Sequence, residues 1–140
     1  MRLLVFGYGY SGRALARRLR AQGWRIAGTH RSAEQARAIA ADGAEPVNLA
    51  DPEALTAAVG EARALLVTAP PDAEGCPGLN ALVPAMARAR AFPDWTGYLS
   101  TTGVYGDRRG GWVTERSALA AQSVEGARRV GAERDWLDVG

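Results

Sequence analysis

Directly after the apolar run Arg2–Phe6 comes Gly7-Tyr8-Gly9-Tyr10-Ser11-Gly12, a G-x-G-x-x-G pattern that opens a segment of helical period. Strand, glycine turn and helix in that order are specific where the glycines alone are not. Gly7 permits a tight turn, Gly9 lets backbone approach a pyrophosphate, and Gly12 lets the helix pack close to the strand. The helix start, reading Gly7, Gly9, Tyr10, Ser11 and Gly12, then offers free N–H groups and about half a positive charge to phosphates. A glycine-rich turn without a ligand is the plainer alternative.

The rest of the chain repeats the strand-then-helix rhythm. Short apolar runs at Arg2–Phe6, Arg25–Thr29, Glu45–Leu49, Ala64–Thr68 and Gly97–Thr101 alternate with helical segments, which predicts parallel strands joined by crossover helices. Ser11 is read as preceding the first helix, which Gly23 closes. Ser32 with Gln35 forms a capping pair before the second helix, ended by Gly43, and Asp51-Pro52 starts the third, which runs to Gly60. A fourth helix is expected over Leu79–Arg90 with an interruption near Pro84, and a fifth from about Ser123 to Asp138. The expectation is a doubly wound Rossmann fold of about five strands in the order 3-2-1-4-5, helices on both faces, as one domain over residues 1–140. Because a doubly wound sheet usually feeds a sixth strand at this point, the reading expects the chain to be truncated before a C-terminal substrate lobe.

Composition removes several function classes. One cysteine and one histidine make a structural metal site a poor fit, so no metal is expected. The net charge of +2 is small and the basic residues are interleaved with acidic ones, so nucleic acid is not an expected partner. No apolar stretch reaches the roughly 20 residues of a membrane span, and the cytoplasm is the expected location. All 17 basic residues are arginine, so a lysine-dependent reaction cannot be run by this chain alone.

An NAD-preferring site would place Asp or Glu roughly 20 residues beyond the turn to accept from the ribose hydroxyls. Here that stretch is Thr29-His30-Arg31-Ser32. With no carboxylate and a guanidinium at Arg31 suited to a 2′-phosphate, NADP is the expected cofactor, NAD the alternative. Arg31 and Ser32 also admit the simpler description of a solvated residue before a capped helix.

Together with the glycine turn, Asn48-Leu49-x-Asp51-Pro52 and Leu99-Ser100-Thr101-Thr102-Gly103-Val104-Tyr105-Gly106-Asp107 make the whole chain resemble the extended short-chain dehydrogenase/reductases. More narrowly, it is similar to NAD-dependent epimerase/dehydratase-like proteins of atypical type. The resemblance implies that Asn48 and Leu49 line an adenine pocket, that Ala69 and Pro70 pass the cofactor ribose, and that Thr101 matches the family's catalytic Ser/Thr. It equally allows Ser100, Thr101 and Thr102 to do no more than finish a strand and satisfy turn backbone.

The family's Tyr-x-x-x-Lys pair is missing. Glu125 stands in the tyrosine's place and Arg129 in the lysine's, within Ser123-Val124-Glu125-Gly126-Ala127-Arg128-Arg129. An arginine stays protonated and a carboxylate is a different base, so the family's proton relay does not carry over. Glu125 and Arg129 at i and i+4 also suit a plain surface ion pair. If Glu125 acts, Tyr105 or Tyr98 would be the replacement phenol. The glycines at 106, 110 and 111 with Arg108 and Arg109 suggest a mobile cationic loop, either a lid over an anionic substrate or a solvated loop. The functional expectation is an NADP-linked oxidoreductase or epimerase of a small oxygenated, sugar-like metabolite. The alternative is a non-catalytic dinucleotide sensor, and a homodimer is left open.

Overall fold

The computed structural model describes residues 1–139. Five parallel strands, β1 (Arg2–Phe6), β2 (Arg25–His30), β3 (Glu45–Asn48), β4 (Ala64–Val67) and β5 (Trp95–Tyr98), lie in the order β3-β2-β1-β4-β5. The helices are α1 (Tyr10–Arg20), α2 (Ala33–Ala41), α3 (Pro52–Glu61), α4 (Pro77–Ala89) and α5 (Val124–Val139), with a 3₁₀ turn over Thr102–Tyr105. The expected architecture and strand order are therefore met.

Period-two alternation sorts the strand residues between two cores. Leu3 and Val5 of β1, Ile26 of β2 and Leu66 of β4 pack with Ala16 of α1 and Ile39 of α2. Leu4, Phe6, Leu65 and Val67 face the other way, against Leu55 and Val59 of α3, Leu82 and Met86 of α4, and Ala132 and Trp136 of α5. β1 is buried along its whole length. Its first residue, Arg2, is enclosed but ion-paired to Glu45 and Glu61 at the end of the sheet opposite the glycine turn.

Several boundaries differ from the sequence expectation, each for a local reason. The fifth strand is Trp95–Tyr98 rather than Gly97–Thr101, because pairing begins where the Asp94 and Trp95 N–H groups reach the Arg63 carbonyl, and Ala64 stands opposite Trp95. Ser100 to Thr102 have left the ladder. Helix α1 starts at Tyr10 with Gly9 as its N-cap and no side-chain cap, so Ser11 sits inside the first turn rather than before it. Helix α3 passes Gly60 to end at Glu61. Helix α4 begins at Pro77 and runs through Pro84 without ending there. Proline at position 84 removes one helical hydrogen bond, and the burial of Leu82, Ala85 and Met86 around it holds the helix together.

The two edges of the sheet are unlike. β3 carries Pro46, whereas β5 presents Trp95, 52% exposed, on the same sheet face as Ala64 and Leu66. Across the other face of β5 runs a groove of about 910 Å³ lined by Met86, Phe92, Thr96, Tyr98, Trp136 and Leu137.

Candidate dinucleotide site

The strands all end toward one side of the sheet, and the order reverses between β1 and β4, the place where open α/β sheets bind ligands. The glycine turn sits there. Gly7 has φ +88°, and a Cβ on it would lie 2.7 Å from Thr68 Oγ1 and 2.9 Å from the Ala69 backbone nitrogen. A Cβ on Gly12 would lie 2.7 Å from Val5 Cγ1 and 3.3 Å from the Gly7 carbonyl oxygen. Both glycines are thus demanded by the chain's own packing.

Gly9 is different. Its backbone, φ −90° and ψ −160°, suits any residue, and a Cβ there would meet nothing within 4 Å. The fold itself gives no steric reason for a glycine at this exposed position. What remains is its modest value as an N-cap and the room it leaves for a group approaching the backbone from outside.

Two threonines hold the turn at its base. The Gly7 N–H donates to Thr29 Oγ1 at 3.1 Å, and the Thr68 hydroxyl donates to the Gly7 carbonyl. One comes from the end of β2 and the other from just past β4, so the Gly7 peptide is gripped from both flanks. Sequence reasoning passed over both residues, although a threonine at the carboxyl end of each strand beside β1 was there to be read.

Around the turn lies a cavity of about 400 Å³, within the range for small-ligand sites. Of the expected cofactor contacts, the structure gathers Gly7, Gly9, Arg31, Leu49, Ala69 and Pro70 into its lining. Tyr10, Ser11, Gly12, Ser32 and Asn48 do not line it. Tyr10 and Ser11 lie exposed on the first turn of α1, and Gly12 is buried beneath it. Ser32 Oγ accepts from the Gln35 N–H as the cap of α2, and Asn48 Oδ1 accepts from the Ala50 N–H in its own turn. Tyr8, Thr29, His30, Gln35 and Thr68 are lining residues that the sequence reading did not assign to the cofactor.

No carboxylate lines the cavity among the described residues. Arg31 stands at the mouth, exposed, with its backbone N–H donating to Gln35 Oε1 at 2.8 Å. The pair read from sequence as a capping box therefore also ties down the arginine just ahead of the helix.

The residues expected to carry chemistry gather near the carboxyl end of β5. Thr101 Oγ1 accepts from the Gly103 N–H at 3.2 Å as the cap of the 3₁₀ turn, which leaves its own proton free to donate outward. Arg129 points inward: its guanidinium donates to the Leu99 carbonyl and lies 5.8 Å from the centre of the Tyr98 ring. Among the described residues no ion pair joins it to Glu125, which is exposed. The i, i+4 surface pair is thus replaced by a tether from α5 to β5, because the Leu99 carbonyl is a better-placed acceptor than a solvated carboxylate. Burial raises the Tyr98 phenol above its ordinary pKa, with Arg129 opposing the shift.

The loop after the 3₁₀ turn is more tightly tied than its glycines suggest. Arg108 donates to the Tyr105 and Ala118 carbonyls, and Gln122 Oε1 accepts from the Asp107 N–H. Trp112 stands fully exposed beyond these ties. Among the described residues there is no group of His, Cys, Asp and Glu able to hold a metal, and no helix long and apolar enough to cross a membrane.

No family model matches the chain, and no curated protein matches it. Solved structures do. A functionally unknown conserved protein from Silicibacter pomeroyi is 44% identical over 99% of this chain and 49% of its own, with a TM-score of 0.86. A candidate NAD-dependent epimerase/dehydratase from Methylobacillus flagellatus is 26% identical over 95% of this chain and 49% of its own, TM-score 0.69. A short-chain dehydrogenase/reductase superfamily protein from Agrobacterium tumefaciens, solved with bound NAD, is 25% identical over 96% of this chain and 43% of its own, TM-score 0.65. The chain spans about half the length of these proteins.

Proposed function

From the premise that this chain carries the Rossmann fold of the short-chain dehydrogenase/reductase superfamily, with NAD-dependent epimerase/dehydratases among its structural relatives, we propose that it binds a nicotinamide dinucleotide at the glycine turn. The observation that carries this reading is Gly9, a glycine the fold does not need, set over a peptide held by Thr29 and Thr68. The pyrophosphate would lie against the Gly9 backbone and the α1 N-terminus, whose first turn has no acidic side chain to repel it. Leu49, Ala69 and Pro70 would flank the adenosine and ribose.

NADP is the cofactor this reading favours over NAD. A cavity without a carboxylate cannot accept from a free ribose 2′-hydroxyl in the usual way, and the anchored Arg31 can pair with a 2′-phosphate. The bound cofactor would supply hydride transfer, and Thr101, with its free hydroxyl proton, would position an oxygenated, sugar-like substrate as part of a larger oxidoreductase or epimerase in the cytoplasm. A second reading, a dinucleotide-binding module without chemistry, is favoured by one observation: Arg129 is held against the Leu99 carbonyl and the Tyr98 ring, a structural tether in the place of the relay's lysine.

Calorimetric titration with NADPH, NADH and ATP tests the proposal. The expected result is tightest binding of NADPH, with the gap to NADH closing in Arg31→Ala. Equal affinities that Arg31→Ala leaves unchanged would remove the NADP preference, and binding of neither dinucleotide would overturn the reading.

A further inference from the structure

Gly28 poses a question the cofactor reading does not answer. It lies inside β2, between Ala27 and Thr29, paired with Val5 on one side and Pro46 on the other, and its backbone does not adopt the left-handed region. Glycine in a strand interior costs conformational entropy and usually marks a close approach. Here the approaching group is Tyr8. A Cβ on Gly28 would lie 2.5 Å from Tyr8 Cδ2, 2.9 Å from its Cγ and 3.2 Å from its Cβ.

Tyr8 is the residue between the two glycines of the turn. Its ring lies half-buried against the core of Leu3, Val5, Ile26 and Ile39 while also forming part of the cavity lining. Its hydroxyl is buried with no hydrogen-bond partner. What rests on β2 is therefore the ring itself, with no hydrogen bond holding it there. Burial, and then the Asp42 carboxylate, raise the phenol above its ordinary pKa, so it stays neutral.

We infer that the Tyr8 ring seated on Gly28 is a positioning device that sets the height and tilt of the Gly7–Gly9 backbone above the sheet. The threonines fix the Gly7 peptide laterally, and the ring's rest on β2 fixes the following peptide vertically. Gly28 is then a determinant of dinucleotide affinity although it lines no part of the cavity. The consequence for affinity rests on the dinucleotide reading; the device itself does not.

The test is a double-mutant cycle of Gly28→Ala and Tyr8→Ala, with Tyr8→Phe as control, read by NADPH titration and by the backbone amide resonances of Gly7 and Gly9. Gly28→Ala is expected to shift both resonances and weaken NADPH at least tenfold, while the same change in the Tyr8→Ala background costs less than twofold. Tyr8→Phe, which keeps the ring on Gly28, should leave both resonances in place. Unchanged resonances in Gly28→Ala, equal costs in the two backgrounds, or shifted resonances in Tyr8→Phe would overturn the inference. If Gly28→Ala does not fold, a folded double variant supports the shared space and an unfolded one refutes it. If the parent chain binds neither NADPH nor NADH, the cofactor proposal falls and the amide resonances alone decide the device.

Discussion

Replacing Gly9 by valine separates the ligand's demands from the fold's. Valine is comfortable at φ −90° and ψ −160°, and its Cβ enters open space. Losing a glycine restricts the unfolded chain, which stabilises by about 0.4–1 kcal/mol, while an aliphatic N-cap costs about 1 kcal/mol. The two nearly cancel, so the thermal midpoint should move by only a few degrees. Binding should not be spared. A branched side chain over the turn displaces a pyrophosphate from two backbone N–H groups, and at about 1.5 kcal/mol for each charge-assisted bond the loss is ~3 kcal/mol, on the order of a hundredfold in Kd. Gly7→Ala should behave the opposite way. Its Cβ collides with Thr68 and Ala69 at a left-handed φ, which should cost about 2–4 kcal/mol of stability. Thermal unfolding and calorimetric titration on both variants check the pair. A Gly9→Val chain that binds NADPH as tightly as the parent would refute the assignment of the turn, whatever its stability.

Three further outcomes are expected. Arg31→Ala should lower NADPH affinity by about 10- to 100-fold and leave NADH nearly unchanged, from the loss of one charge-assisted pair; a parallel loss for both would show that Arg31 does not read the 2′-phosphate. Asp42 accepts from Arg13 and Arg17 with a side chain only 6% exposed, and these bonds hold its pKa below the ordinary carboxylate value. The unfolded chain then takes up this proton more readily than the folded one, so stability is full above about pH 4 and declines as pH falls through the depressed value; Asp42→Asn should flatten that acid limb in a pH series of thermal melts. Ser32→Ala should cost about 1 kcal/mol by denaturant titration through the lost cap of α2, and weaken NADPH less than Arg31→Ala does.

What could be read from the sequence was what depends on local pattern. Strand order, helix placement and the glycine turn all follow from periodicity, caps and spacing, and Gly7, Gly9 and Arg31 line one cavity with Leu49, Ala69 and Pro70, which only the family resemblance had pointed to. The fifth strand was misplaced because Trp95 and Thr96 follow Asp94 and read as a loop, whereas the sheet recruits them through the Arg63 carbonyl. Thr29 and Thr68 stand visibly at strand ends, but their bonds to Gly7, like the Tyr8–Gly28 contact, could not be read from local pattern. Each is a meeting between residues 20 to 61 positions apart, settled by the register of neighbouring strands and not by any local run. Arg129 shows the reverse failure: a spacing suited to an ion pair was outbid by a backbone acceptor that only the tertiary structure supplies.

The proline in β3 also decides where the sheet can grow. Pro46 has no N–H to donate to a ladder and Glu45 beside it carries charge, so the β3 edge refuses a new strand. Copies of this chain adding sheet to sheet, head to tail, would need that edge at every step. One proline thereby bars this route to fibres, whatever lies beside β5.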